Sequence, residues 1–221
     1  MRRAAVGFRV HSGWTAMIAV AAGKDGLELL VRGRLHLVKT FTYEYRQPYH
    51  TAAKLSPDEG RAFIGHVRKE SRELAFRALR QLKVELEQQG YSLERCGLLL
   101  SSGRPLPPLP RILAAHSLIH TADGELFRES VLHAAGRCSL RSLTIKDREL
   151  LLSASRALRA KPASLTRRVA ELGRGLGPPW SQDEKLASLV AWLAVSSRAN
   201  LPRAVSSVAT RPLPARAREA R

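Results

Sequence analysis

Residues 4–37, AAVGFRVHSGWTAMIAVAAGKDGLELLVRGRLHL, decide the fold class. Residues 4–10 are short, mostly apolar and interrupted by Gly7, the pattern of a strand covered on both faces. Ser12-Gly13 is turn chemistry, and residues 14–22 form a second apolar run. Asp25-Gly26, the strongest short hairpin signal in the chain, joins that run to residues 27–38. There Leu29, Val31, Leu35 and Leu37 fall at even spacing, with Arg32, Arg34 and His36 interleaved. The stretch reads as a three-strand antiparallel meander.

Residues 40–55 lead out of it and hold Phe41, Tyr43, Tyr45 and Tyr49 beside Lys39, Arg46 and His50. Rings among cations can stack bases while the cations neutralise phosphate. The alternation of Phe41, Tyr43 and Tyr45 equally fits a third strand that continues with its rings packed on a helix. Ser56-Pro57-Asp58-Glu59 is a complete helix start, with a hydroxyl cap, a proline in the first turn and a glutamate placed for a capping box. The helix can run to Gln89, where Gly90 stops it. Phe63, Val67, Leu74, Ala78, Leu82 and Leu86 give it one apolar stripe, and its nearly balanced charges read as a solvated face.

Residues 96–102 carry Leu98-Leu99-Leu100, a continuous apolar run that fits a buried strand parallel to the first. The proline-rich loop 102–110 is either a rigid connector or a ligand for a partner protein. A helix or broken helix pair fits residues 111–135, and a last strand fits residues 138–145. Asp147 starts a helix, Ser164 starts another, and residues 173–179 break it. Ser181-Gln182-Asp183-Glu184 is a second capping box, opening a helix whose apolar face is Leu186, Leu189, Val190 and Leu193.

At 221 residues and 44% hydrophobic composition, the chain is long enough for one well-buried domain, expected over residues 1–196. Residues 197–221, rich in Arg, Ala, Pro and Ser, read as a basic, disordered tail. A formal net charge of +18 and a pI near 11.2 point to polyanionic partners, and arginine suits bidentate contact with phosphate. Cys96 and Cys138 make no disulfide framework and suggest a reducing compartment. No apolar run reaches the ~18 residues of a membrane-crossing helix. Arg9 and His11 interrupt what could otherwise mimic a signal peptide, so the expected location is cytoplasmic, with no membrane partner.

His116 and His120, four apart, would share a helix face as zinc ligands do, with a third ligand to come from Asp123, Glu125, His133 or a cysteine. Two histidines alone also fit a structural or surface role, and no metal is expected on this signal. Glu125 and Glu129, also four apart, fit either displaced metal-binding acids or partners of Arg128 and nearby arginines. There is no Walker-type glycine loop and no Gly-x-Ser-x-Gly elbow.

The order of elements resembles the ribonuclease H-like fold, an α/β architecture of three antiparallel strands followed by two parallel strands alternating with helices. Nucleases, transposases, junction resolvases and each half of the actin-like sugar kinases share it. Gly7-Phe8-Arg9-Val10-His11-Ser12-Gly13-Trp14-Thr15 is similar to the first hairpin of those families, but Arg9 stands at the aspartate position and His11 at a usual glycine. Leu98 to Ser102 is similarly placed to the strand that delivers a second carboxylate, and offers Ser101 and Ser102. Residues 175–192, with Asp183, Glu184 and Lys185, resemble the stretch leading into a late helix of the junction resolvases.

Two-metal cleavage needs converging carboxylates around ions ~4 Å apart, and a guanidinium at the centre would repel them. The resemblance therefore implies a domain without the nuclease acids that binds nucleic acid or acts as an adaptor. Arg9, His11, Arg104 and Lys185 would line its phosphate-gripping cleft, with no cofactor. Arg9 paired with Asp183 or Glu184 in a structural ion pair is the competing reading of the same residues. A divergent nuclease using Mg²⁺ or Mn²⁺ on Glu125, Glu129, Asp183 or Glu184 is one alternative function. A protein-protein scaffold docking through residues 102–110 is another.

Overall fold

The computed structural model describes residues 1–23, 26–101, 105–178 and 180–197. Three strands open it: β1 (Arg2–His11), β2 (Trp14–Gly23) and β3 (Gly26–His36). β1 pairs antiparallel with β2, and β2 with β3, so the meander forms as read. Gly23 faces Gly26 across the second hairpin; the Asp25 half of the Asp25-Gly26 signal lies outside the described residues, and Gly26 itself holds φ +118°. Gly13 closes the first hairpin at φ +82°, a conformation that favours glycine.

Two short helices follow, α1 (Tyr43–Arg46) and α2 (Pro48–Ala52). The third strand does not continue through Phe41, Tyr43 and Tyr45: it ends at His36, Leu37 donates its amide to the Gly13 carbonyl, and the chain turns away from the sheet edge. Next comes α3 (Pro57–Gln88), 32 residues long, opened by the Ser56/Glu59 capping box. Its buried stripe is Ile64, Val67, Ser71, Ala75, Leu79, Leu82 and Leu86, rotated by one residue in its first half from the Phe63, Leu74 and Ala78 set. Those three are half-buried.

β4 (Tyr91–Leu100) begins five residues earlier than the leucine run suggests and pairs parallel with β1. Leu106 and Leu109 pack against the core, and α4 (Leu109–Leu113) starts inside the proline-rich loop. Then come α5 (His116–Arg137), β5 (Arg141–Lys146), α6 (Asp147–Leu158), α7 (Pro162–Leu172) and α8 (Gln182–Ser196). β5 pairs parallel with β4, giving one five-stranded mixed sheet in the order β3-β2-β1-β4-β5. This is the ribonuclease H-like arrangement.

Alternation along β1 sorts the two layers. Ala4, Val6, Phe8 and Val10 point into the larger core under α3 and α5. Ala5 and Gly7 face α8, where a Cβ on Gly7 would fall 1.9 Å from the Ala187 carbonyl oxygen. Gly97, beside Gly7 in register, would meet the Val190 carbonyl oxygen at 2.6 Å. α8 thus lies with its backbone against bare strand backbone, and it is buried by Ala187, Ser188, Val190, Ala191, Ala194 and Val195 as well as by leucines. The single apolar face read from its sequence is too narrow, because α6 and α7 cover its outer side. Arg95, 8% exposed, donates to the carbonyls of Ala194 and Ser197 and so holds the carboxyl end of α8. No helix among the described residues is long and apolar enough to cross a membrane.

Candidate functional site

Arg9 and His11 sit on the α8 side of the last residues of β1. Asp147 is the first residue after β5, and Asp183 lies in the first turn of α8. The fold brings these four together. Arg9 Nη2 is 3.1 Å from Asp147 Oδ2, and its Nε is 3.8 Å from Asp183 Oδ1. His11 Nε2 is 3.0 Å from the same Asp183 oxygen, but neither it nor Arg9 Nε is aligned for a hydrogen bond, so these two contacts are electrostatic. On α5 behind them, Glu125 accepts from Ser101 Oγ and from Arg128 Nη1, both at 3.1 Å. Burial pushes the Arg128 guanidinium down from the usual arginine range; Glu125 opposes this, and Arg9 adds repulsion.

The cluster therefore alternates guanidinium and carboxylate. Arg9 lies between Asp147 and Asp183, within 4 Å of a carboxylate oxygen of each. Of the other sequence candidates, Glu184 accepts from the Ser181 backbone amide and hydroxyl in the capping box. Glu129 is held by Arg72 Nη2 at 2.6 Å and by Arg72 Nε at 3.3 Å, joining α5 to α3. Lys185 lines a shallow groove with Asp147, Leu150, Gln182 and Leu186. Arg104 lies outside the described residues, as do residues 198–221 of the basic tail. Asp147 was read only as a helix start, although a carboxylate directly after a parallel strand was the available signal.

The first hairpin carries a second feature that sequence reading missed. His11 stacks on Trp14 at 4.5 Å and 13°, and the Arg34 guanidinium covers Trp14 at 3.6 Å. Arg34 and Arg46 lie 6.0 and 4.8 Å from the Phe41 ring, which also contacts His36 at 4.8 Å. Phe41 is 38% exposed and Tyr43 is 55% exposed. The mixture of rings and cations noted over residues 40–55 is thus real, but it is assembled from the first hairpin, β3 and α1.

His116 and His120 do share one face of α5, with their Nε2 atoms 3.0 Å apart. A third ring joins them, His50 from α2, which sequence spacing could not suggest. His50 Nδ1 lies 2.5 Å from the buried carboxylate of Asp123, which also accepts from the Tyr49 amide at 2.7 Å. Burial pushes the Asp123 carboxyl up from its ordinary range, against the Tyr49 and His50 hydrogen bonds that hold it down. The other third ligands considered are engaged elsewhere: Glu125 with Arg128, and His133 beside Arg72 and Glu129. Cys96 and Cys138 are free and buried.

The sequence matches no protein-family model and no curated protein. Its fold is similar to solved structures of RuvC from Thermus thermophilus. For RuvC in complex with a Holliday junction substrate, the TM-score is 0.48 at 10% identity, covering 86% of this chain and 91% of that one. For a second RuvC structure from the same organism, the TM-score is 0.44 at 13% identity, covering 86% and 92%.

Proposed function

We propose that this chain is a ribonuclease H-like domain that binds nucleic acid without cleaving it. The observation that carries the reading is the continuous run of rings and cations His11, Trp14, Arg34, Phe41 and Arg46 along one edge of the domain. Trp14, covered on both faces, serves to hold Arg34. Phe41 offers exposed ring surface beside guanidinium groups, and Tyr43 is a second exposed ring two residues on, the combination on which successive bases stack while their phosphates are neutralised. The +18 net charge supplies the long-range attraction.

His11 starts this run and shares Asp183 with Arg9, and Lys185 stands two residues after Asp183 on α8. A phosphate reaching Arg9 would exchange with Asp147 and Asp183, as competing anions do at a guanidinium. The absence of cleavage follows from Arg9 itself, since its charge sits where two divalent cations would have to be held. Glu125 is engaged by Arg128, Glu129 by Arg72 and Glu184 by the Ser181 cap, which supports this reading over the divergent nuclease. Leu106 and Leu109 are half-buried against the core, which supports the rigid-connector reading of residues 102–110 over docking.

The test is fluorescence anisotropy of the full chain with labelled single-stranded and duplex DNA and RNA over a salt series. Single-stranded binding that falls steeply with salt, and weakens about tenfold or more when Arg34 and Phe41 are both replaced by alanine, supports the reading. Unchanged affinity in that double variant overturns it and leaves the charge to other surfaces.

A further inference from the structure

We propose that His50, His116 and His120 form a binding site for a borderline divalent transition-metal ion, Zn²⁺ first among them. One ring nitrogen from each lies within 4.8 Å of the other two. In a tetrahedral site with Zn–N distances of ~2.0–2.1 Å, the ligand atoms stand ~3.3 Å apart. His116 Nε2 and His120 Nε2, at 3.0 Å, are already at that separation to within a few tenths of an ångström. Small rotations of the rings, two of which are exposed, bring the third nitrogen in.

The support around the site is what separates it from a chance meeting of surface histidines. His116 and His120 project from successive turns of one long helix, so their spacing is set by α5. His50 comes from α2, and its Nδ1 is held by Asp123, one turn along α5 from His120. That carboxylate is 1% exposed and is itself fixed by the Tyr49 amide. An ionised carboxylate bound to Nδ1 fixes the tautomer and leaves Nε2 with its lone pair, the carboxylate–histidine–metal arrangement that raises ligand basicity.

The donor set selects the ion. Three neutral imidazoles suit Zn²⁺, Cu²⁺ or Ni²⁺, whereas Mg²⁺, Ca²⁺ and Mn²⁺ prefer oxygen. Three protein ligands leave a fourth position to water. A bound ion would tie α2 to α5 directly beside Tyr43, whose ring meets His50 edge-on at 6.3 Å. The site does not depend on nucleic-acid binding.

The test uses the full chain without a histidine tag, stripped with EDTA and titrated with Zn²⁺ and Co²⁺. Expected are one Zn²⁺ per chain, a visible d–d spectrum with Co²⁺, and a rise in Tm on Zn²⁺ addition. His116→Ala and His120→Ala, on the exposed face, should each weaken Zn²⁺ binding at least tenfold. Asp123→Asn should weaken it ~10–100-fold. His66→Ala, at an exposed histidine of α3, should change nothing. No Zn²⁺ binding by the folded chain, or binding that survives His116→Ala and His120→Ala together, overturns the assignment.

Discussion

Arg9 Nη2 lies 3.1 Å from Asp147 Oδ2, so the central strand ends in a guanidinium that ties it to the start of α6. Both side chains are partly exposed, and Asp183 shares the same cation. Arg9→Ala should therefore cost about 1–2 kcal/mol in urea unfolding, between a surface pair and a buried one. Arg9→Asp is more informative. It puts a third carboxylate against Asp147 and Asp183, so it should lower Tm in EDTA and recover several degrees with millimolar Mg²⁺. The parent, with its acids already neutralised, should show no Mg²⁺-dependent change at all, and no Mg²⁺-dependent cleavage of DNA or RNA.

Gly7 and Gly97 are the positions where α8 rests on the sheet. A methyl at Gly7 would lie 1.9 Å from the Ala187 carbonyl oxygen and 2.9 Å from the Ala191 Cβ, so the helix must lift. Gly7→Ala should destabilise the domain by about 3 kcal/mol, the upper end of core overpacking. Gly65→Ala makes the contrasting case. Gly65 lies in the interior of α3, in its third turn, with nothing within 4 Å of an added Cβ, and the change should stabilise by ~0.5–1 kcal/mol through helix propensity.

These two glycines also show where legibility stopped. Gly7 could be read as sitting in a covered strand, yet which helix covered it depended on α8, whose sequence gave one apolar face although the helix is buried nearly all round. Elements defined by local chemistry were readable: the hairpins by Gly13 and Gly26, α3 and α8 by their capping boxes, and β4 by its leucine run. Readings that required long-range geometry failed. Asp147 joins Arg9, and His50 joins His116, only through the sheet order and the packing of α2 on α5. Phe41 and Tyr43 alternate as strand residues do, but the β3 edge ends at His36 and nothing local announces it.

Cys96 is fully buried beside Ser142 Oγ at 3.1 Å, and burial pushes its thiol up to about 11. The folded state thus retains a proton that an unfolded thiol gives up near pH 9. The stabilisation this represents is complete below that value and is lost as pH rises towards 11, by ~2–3 kcal/mol for this group. Cys96→Ala should flatten the decline in unfolding free energy between pH 9 and 11. In the same chain, Cys96 should resist alkylation at pH 8 until denaturant is added.

If the chain binds nucleic acid as proposed, Phe41 and Arg46 at the hairpin edge separate base stacking from phosphate contact. Their ring and guanidinium are 4.8 Å apart, yet they would act on different parts of a strand. Phe41→Ala removes a stacking surface. Single-stranded affinity should fall about five- to fifty-fold, duplex affinity should hardly move, and the slope of log affinity against log salt should be unchanged. Arg46→Ala removes a phosphate partner, so affinity should fall for single strands of every sequence and the salt slope should drop by about one. Circular dichroism would confirm that both variants fold, since neither side chain is fully buried. If both variants change the salt slope equally, Phe41 acts only by holding Arg46, and the ring has no direct contact with bases. If Phe41→Ala alone discriminates single strands from duplex, the exposed ring is the base-reading element, and the guanidinium groups around it set the strand's path.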